Sequence, residues 1–135
     1  MILDTSAFMA ILQEEPDWLF IREGIEQAAT LRIAAPTLVE LQVVATSRNP
    51  TFLARITSLI ETWAIDVVAF DRELATIALA AYLRYGKGFH SQARLNLGDC
   101  FSYALAKATG EPLLFVGDDF THTDIVPALT RGSLS

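Results

Sequence analysis

Cysteine is almost missing from this chain. Cys100 stands alone, so no intrachain disulfide can form. That fits a reducing cytosol and gives no sign of secretion. Long hydrophobic runs are absent too; the longest strongly apolar, uncharged one, Leu74 to Leu83, is too short to span a bilayer. The opening residues MILDTS have no basic region and carry an acid at position 4, which argues against a signal peptide. The expectation is a cytoplasmic protein with no membrane partner. Basic charge is scarce: 10 Lys and Arg stand against 16 Asp and Glu, a net charge of −6. This argues against non-specific nucleic-acid binding through a global positive field. The chain also lacks a P-loop, a GxGxxG segment, an obvious Ser-His-Asp order and any cluster of cysteine and histidine.

What the chain has in quantity is apolar residues, 52% of 135, enough to build the core of one domain over residues 1–135. No repeat, low-complexity tract or linker divides it. Met1-Ile2-Leu3 reads as a buried strand ending at Asp4. Helices are predicted over Thr5–Glu14, with Thr5-Ser6 as caps, and from Pro16-Asp17 through Ala28. A second strand follows at Leu31–Ala34, then helices from Pro36-Thr37 to Arg48 and from Thr51 to Trp63. Ile65–Phe70 reads as a third strand, and Asp71 caps a long helix ending at Gly86. Lys87–Leu97 is basic and loop-like, Asp99–Thr109 is helical, and Gly110 ends it. Leu113–Val116 is the fourth strand, with Ile125-Val126 as a short fifth. Short apolar strands alternating with helices define an α/β fold: a mostly parallel sheet of four to five strands covered on both faces.

Carboxylates fall where strands end and helices begin: Asp4, Glu40, Asp99 and the pair Asp118/Asp119. In an open parallel sheet, ligands bind beyond the carboxyl ends of the strands. Converging acids without a Cys or His cluster suit Mg²⁺ or Mn²⁺, which prefer oxygen ligands. Such an ion can orient a phosphodiester and activate water, which removes the need for a protein nucleophile. Each acid also has a simpler role. Asp4, Asp71 and Asp99 fit helix caps or first-turn acids, Thr37-x-x-Glu40 fits a capping box, and Asp118-Asp119 fit a turn after Gly117. Capping does not require the acids to meet on one edge. Ser6 and Thr121 place hydroxyls near the expected cation, or serve as cap and turn residues. From Tyr82 to Lys107, Arg84, Lys87, Arg94, Lys107 and His90 face one acid, Asp99. Arg84, Lys87 and Arg94 are therefore candidates to hold phosphates, alongside the plainer reading of a solvated loop. His90 and His122 read as polar surface, and Cys100 as a small buried hydrophobe.

At these residues the chain resembles the PIN-domain ribonucleases, and more closely the VapC-type toxins of toxin–antitoxin pairs. The resemblance spans nearly the whole chain. It opens on MILDTSA, continues with Glu40 after Ala35-Pro36-Thr37, and is most specific in RYGKG, LNLGDCFSYALA and FVGDDF followed by Thr123-Asp124. It implies an α/β/α sandwich and Mg²⁺- or Mn²⁺-dependent endoribonuclease activity, with tRNA or another structured RNA as substrate. It further implies a homodimer and inhibition by a VapB-type antitoxin. Asp4, Glu40 and Asp99 carry over as catalytic metal ligands. The family pattern favours Asp119 as the fourth acid, with Asp118 secondary and Asp124 in support. Apolar faces around Leu19, Ile21, Leu38, Val39, Leu41 and Val43 are candidates for an antitoxin helix, one of whose arginines would reach the acids.

Two other acidic α/β families fit less well. A receiver domain wants paired acids after the first strand, where Thr5-Ser6 follow Asp4. A haloacid-dehalogenase-type phosphatase wants a second aspartate where Ser6 stands. A non-catalytic interaction module is the remaining alternative.

Overall fold

In the computed structural model, which describes residues 1–129, strands and helices alternate. The order is β1 (Ile2–Leu3), α1 (Thr5–Leu12), α2 (Trp18–Gln27), β2 (Arg32–Ala34), α3 (Ala35–Arg48), α4 (Phe52–Thr62), β3 (Asp66–Val68), α5 (Arg72–Tyr85), α6 (Leu97–Thr109) and β4 (Leu113–Leu114). The strands form one four-stranded sheet, all pairs parallel, in the order β3-β2-β1-β4. Parallel neighbours need crossovers, and the helices that supply them cover both faces.

Successive strand residues point to opposite faces. Ile2, Ala34 and Leu113 therefore join the core beneath α5 and α6, whereas Leu3, Ile33 and Leu114 join the core beneath α1 to α4. The result is the expected α/β/α sandwich. Phe8, Ile25, Leu41, Ile56, Leu95 and Leu105 are fully buried, each contributing about 1.5–3 kcal/mol relative to exposure. Among the described residues no helix is long and apolar enough to cross a membrane.

The chain runs outward from β1 to β2 to β3, then returns to lay β4 on the far side of β1. The winding direction thus reverses between β1 and β4. The crevice beyond the carboxyl ends of two such strands is where this architecture admits a ligand. Asp4 leaves β1 at that point, and Gly117-Asp118-Asp119 follow β4.

Several elements differ from expectation for local reasons. Asp4, not Thr5 or Ser6, caps α1, because it holds an extended conformation and its side chain accepts from the Ser6 amide at 3.1 Å. α1 stops at Leu12, and Glu14 turns into the left-handed region at φ 49. α6 begins at Leu97, since Asn96 supplies its cap. β3 and β4 are shorter than predicted, and Ile125-Val126 form no strand. Instead Pro127 makes a single parallel bridge to Leu113, flanked by hydrogen bonds from Leu113 N to Val126 O (2.9 Å) and from Ala128 N to Leu113 O (2.8 Å). Pro127 leaves that edge without an N–H to offer another strand. Of the apolar residues proposed for a partner surface, Ile21 and Leu41 are core, because their helical spacing turns them onto the sheet, while Leu19, Val39 and Val43 are more than half exposed.

Candidate active site

Asp4 is held by the two cores on either side of it. Ile2 and Leu3 are buried on opposite faces, so the next residue emerges at the sheet end, only 4% exposed. Three donors meet its carboxylate. The Ser6 amide (3.1 Å) and hydroxyl (2.6 Å) donate to Oδ2, and the Ser102 hydroxyl (2.7 Å) donates to Oδ1. Ser6 Oγ in turn accepts from Val116 N at 3.0 Å, tying the end of β1 to the segment after β4.

Glu40 lies one turn after Thr37 on α3. The capping box expected of these two residues does not form, since Ala34 occupies the cap position with no side-chain bond. Glu40 reaches across to another element instead: Thr5 Oγ1 donates to its Oε1 at 2.6 Å. Its other oxygen packs where a side chain at Gly98 would otherwise stand.

Asp99 opens α6. Asn96 Oδ1 accepts from the Asp99 amide at 2.8 Å, and Asp99 Oδ2 accepts from the Asn96 amide at 3.0 Å, a reciprocal capping box. Burial to 8% exposure pushes the Asp99 carboxyl up to about 7. The Asn96 amide opposes the rise, and the charges of Asp4, Asp119 and Glu40 add to it. Asp99 thus serves as a capping residue and also feels the charges of the other three acids. Burial and Asp99 together raise the neighbouring Cys100 thiol to about 11, so it stays protonated and unreactive near neutrality.

The fourth acid comes from the turn after β4. Gly117 takes φ 96, a left-handed conformation that side-chain-bearing residues rarely adopt, and the buried Phe120 anchors the far side against Phe115 at 5.0 Å. Partial burial raises the Asp119 carboxyl, followed by the charges of Asp4 and Asp118. Asp119 is among the charges that raise Asp99.

The remaining candidates lie elsewhere. Asp124 accepts from Tyr103 Oη (2.6 Å) and Lys107 Nζ (2.9 Å), fastening the segment beyond the fourth acid to the outer part of α6. Thr121 is exposed and donates its amide to Asp118 O at 3.1 Å, a turn contact. Arg84, Lys87 and Arg94 are exposed, with the Arg84 guanidinium 4.8 Å from the Tyr85 ring. The loop bearing Lys87 and Arg94 is pinned by Ala93 and Leu95 in the core. His90 Nδ1 also accepts from the Gln92 (3.0 Å) and Ala93 (2.8 Å) amides. These cations precede Asn96 and Asp99 along the chain, and no ion pair among the described residues joins them to Asp4, Glu40, Asp99 or Asp119.

Sequence reasoning missed the hydroxyls beneath the acids. Thr37 and Ser102 are wholly buried, and their oxygens lie 3.5 Å apart. The available signal was spacing: Thr37/Glu40 and Asp99/Ser102 are both i,i+3 pairs, each placing a hydroxyl and an acid on one helix face. Gly98, which makes room for Glu40, carried no such signal.

The donor set is all oxygen and strongly negative, the chemistry a hard divalent cation takes. As the side chains stand, no three His, Cys, Asp or Glu among the described residues lie close enough together to hold one ion. Three of the four acids are engaged by protein donors: Asp4 by Ser6 and Ser102, Glu40 by Thr5, Asp99 by the Asn96 amide.

A parallel α/β sandwich with acids following β1 and β4, where the winding reverses, belongs to a recognisable class. Residues 1–126 match the PIN domain, and the chain belongs to that family, in its VapC branch. It is similar to ribonuclease VapC42 of Mycobacterium tuberculosis, with 47% identity over 131 residues, 96% of this chain and 100% of the relative. Ribonuclease VapC30 of the same species is 43% identical over 126 residues, 93% of this chain and 95% of the relative. Among solved structures, M. tuberculosis VapC20, described as a sarcin-ricin-loop-cleaving toxin, superposes with a TM-score of 0.74 at 16% identity, covering 93% of this chain and 95% of that one. A toxin–antitoxin complex from Klebsiella pneumoniae gives 0.70 at 16% identity, covering 95% and 97%. At that identity the two structures speak for the fold alone.

Proposed function

We propose that this chain is a metal-dependent endoribonuclease toxin of a VapBC-type toxin–antitoxin system, with Asp4, Glu40, Asp99 and Asp119 as its acidic centre. The observation that supports the reading most directly is electrostatic. Asp4, Glu40 and Asp119 come from three separate stretches of chain; burial contributes most to raising the Asp99 carboxyl, and the charges of Asp4, Asp119 and Glu40 add to it. Crowding like charges is costly without a counter-ion, and the oxygen-only donors suit Mg²⁺ or Mn²⁺. When bound, the ion supplies Lewis acidity for activating water and for stabilising charge on the scissile phosphate.

The protein's own groups do the rest. Ser6 and Ser102 orient Asp4, Thr5 orients Glu40, and the α6 capping box fixes Asp99. Lys87 and Arg94, on the pinned loop leading into α6, and Arg84, just before it, would engage phosphates flanking the cleaved bond. By resemblance to the family, the products would carry a 5′-phosphate and a 3′-hydroxyl.

Two apolar surfaces support protein partners. One lies on α3 and α4 (Val39, Val43, Leu53); the other is a groove of about 370 Å³ between α5 and α6, lined by Phe70, Leu79, Tyr82, Leu97 and Phe101. The reading calls for two such contacts, a second copy of the chain and an antitoxin helix.

The test is cleavage of end-labelled RNA by purified protein with Mg²⁺, with Mn²⁺ and with EDTA. Cleavage that requires the metal and disappears in Asp4→Asn supports the reading; equal cleavage in EDTA defeats it. Co-purification with the product of the adjoining gene should abolish the activity, and equal activity in both preparations would remove the antitoxin from the proposal.

A further inference from the structure

We propose that Ser102 is a positioning residue for Asp4, and that its hydroxyl, backed by Thr37, fixes the direction in which Asp4 offers its carboxylate to a divalent cation. The inference rests on the metal-dependent reading above and adds to it a residue outside the acid set.

The described residues contain four buried polar or charged side chains: Asp4, Thr37, Asp99 and Ser102. All four are at this one place. Burying a hydroxyl is costly unless it is hydrogen-bonded, whereas alanine and valine would fill the same positions without that cost. Two hydroxyls with no exposure are therefore poorly explained by packing.

Their order is set by donor arithmetic. A serine hydroxyl has one hydrogen, and a carboxylate can only accept. The short 2.7 Å bond from Ser102 Oγ to Asp4 Oδ1 uses that hydrogen. At the longer 3.5 Å contact Ser102 must then accept, and Thr37 donates. The direction is Thr37 to Ser102 to Asp4, running from α3 through α6 to the end of β1.

The geometry gives Ser102 a task that Ser6 cannot perform. Ser6 binds Asp4 Oδ2 from two residues away and is itself held by Val116 N, which refers that oxygen to the segment after β4 and not to α6. Ser102 binds the other oxygen from 98 residues away, one turn after Asp99 on α6. The carboxylate plane is thereby referenced to the helix that carries Asp99. Loss of Ser102 leaves Asp4 held through Oδ2 alone and unlinks it from the helix that carries Asp99. Groups that orient metal ligands from behind typically change metal affinity by 10–100-fold when removed.

The experiment is Mn²⁺ titration calorimetry on the full chain, wild type beside Ser102→Ala and Thr37→Val, with each thermal midpoint measured in EDTA. The expected result is a Kd weakened about tenfold or more in Ser102→Ala. Thr37→Val should weaken it in the same direction by less, and both EDTA midpoints should stay within a few degrees of wild type. An unchanged Kd in Ser102→Ala overturns the positioning role, including where the midpoint falls, because that is the mark of a structural hydroxyl. Should Ser102→Ala not fold, Ser102→Cys, close in volume but a weak donor, takes its place under the same criterion. A wild type that binds no Mn²⁺ overturns the metal reading itself, so the two failures are separable.

Discussion

The Glu40 carboxylate occupies the space that a side chain at position 98 would need. Glycine there lets α3 lay its acid against the first turn of α6, with Thr5 holding the other oxygen. Gly98→Ala should push Glu40 aside. Alanine is the better helix former by about 1 kcal/mol, so the fold should be neutral or slightly stabilised. RNA cleavage should fall, on the order of tenfold or more, as for other changes that misplace a metal ligand. Thermal melting beside a cleavage assay separates the two effects; full activity in Gly98→Ala would remove Glu40's placement from the mechanism.

Asp99→Asn should abolish cleavage while leaving the fold intact. The amide keeps the size of the side chain and an oxygen for the Asn96 amide, but removes the charge. A circular-dichroism melt and the RNA assay on one preparation check both halves. Retained cleavage would take Asp99 out of the reaction.

The same carboxyl should leave a signature in pH. It releases its proton near 3.8 in the unfolded chain and near 7 in the fold. The native state therefore holds the extra proton between those values, and linkage makes stability decline as pH rises across that window. Below about 4 this contribution is complete, and above about 7 it is gone. Glu111 and Asp124, both lowered, titrate with the opposite sign, so the informative quantity is wild type minus Asp99→Asn, measured in EDTA. A flat difference curve would refute the coupling.

Mg²⁺ or Mn²⁺ should raise the thermal midpoint. An ion at about 100 times its Kd adds about 2.7 kcal/mol, a shift of several degrees for a domain of this size. Asp4→Asn should reduce the shift. The absence of any shift with either ion would count against a cation at this site.

Tyr103→Phe should loosen the segment after the fourth acid. The Tyr103 hydroxyl, pushed up by burial and by its bond to Asp124, would be lost, leaving Asp124 with Lys107 alone. Because Asp124 is partly exposed, the cost should be modest, about 1 kcal/mol after solvent screening. Hydrogen exchange across residues 118–126 should rise more than in α1; equal exchange in the two regions would show that the contact does not fasten the segment.

The sequence was most readable where partners are close along the chain. Asp71 does cap α5, accepting from Leu74 N at 3.0 Å, and Gly110 does end α6 in the left-handed conformation. Strand and helix alternation followed from apolar runs of short length. Prediction failed where a side chain ignored its local partner. Glu40 fits a box with Thr37, yet its partner is Thr5, 35 residues earlier. Ser102 looked like one small residue in an α6 stretch, because its acceptor lies 98 residues away. Strand lengths were overestimated because the apolar residues just past them, such as Phe115 and Val116, pack against the cores without pairing.

β1 is only two residues long, and both are sealed into opposite cores. Reshaping either core therefore moves Asp4 with it, and the first turn of the molecule tolerates little drift. Exposed positions such as Arg84, Lys87 and Arg94 carry no such constraint, because substitution there disturbs neither core.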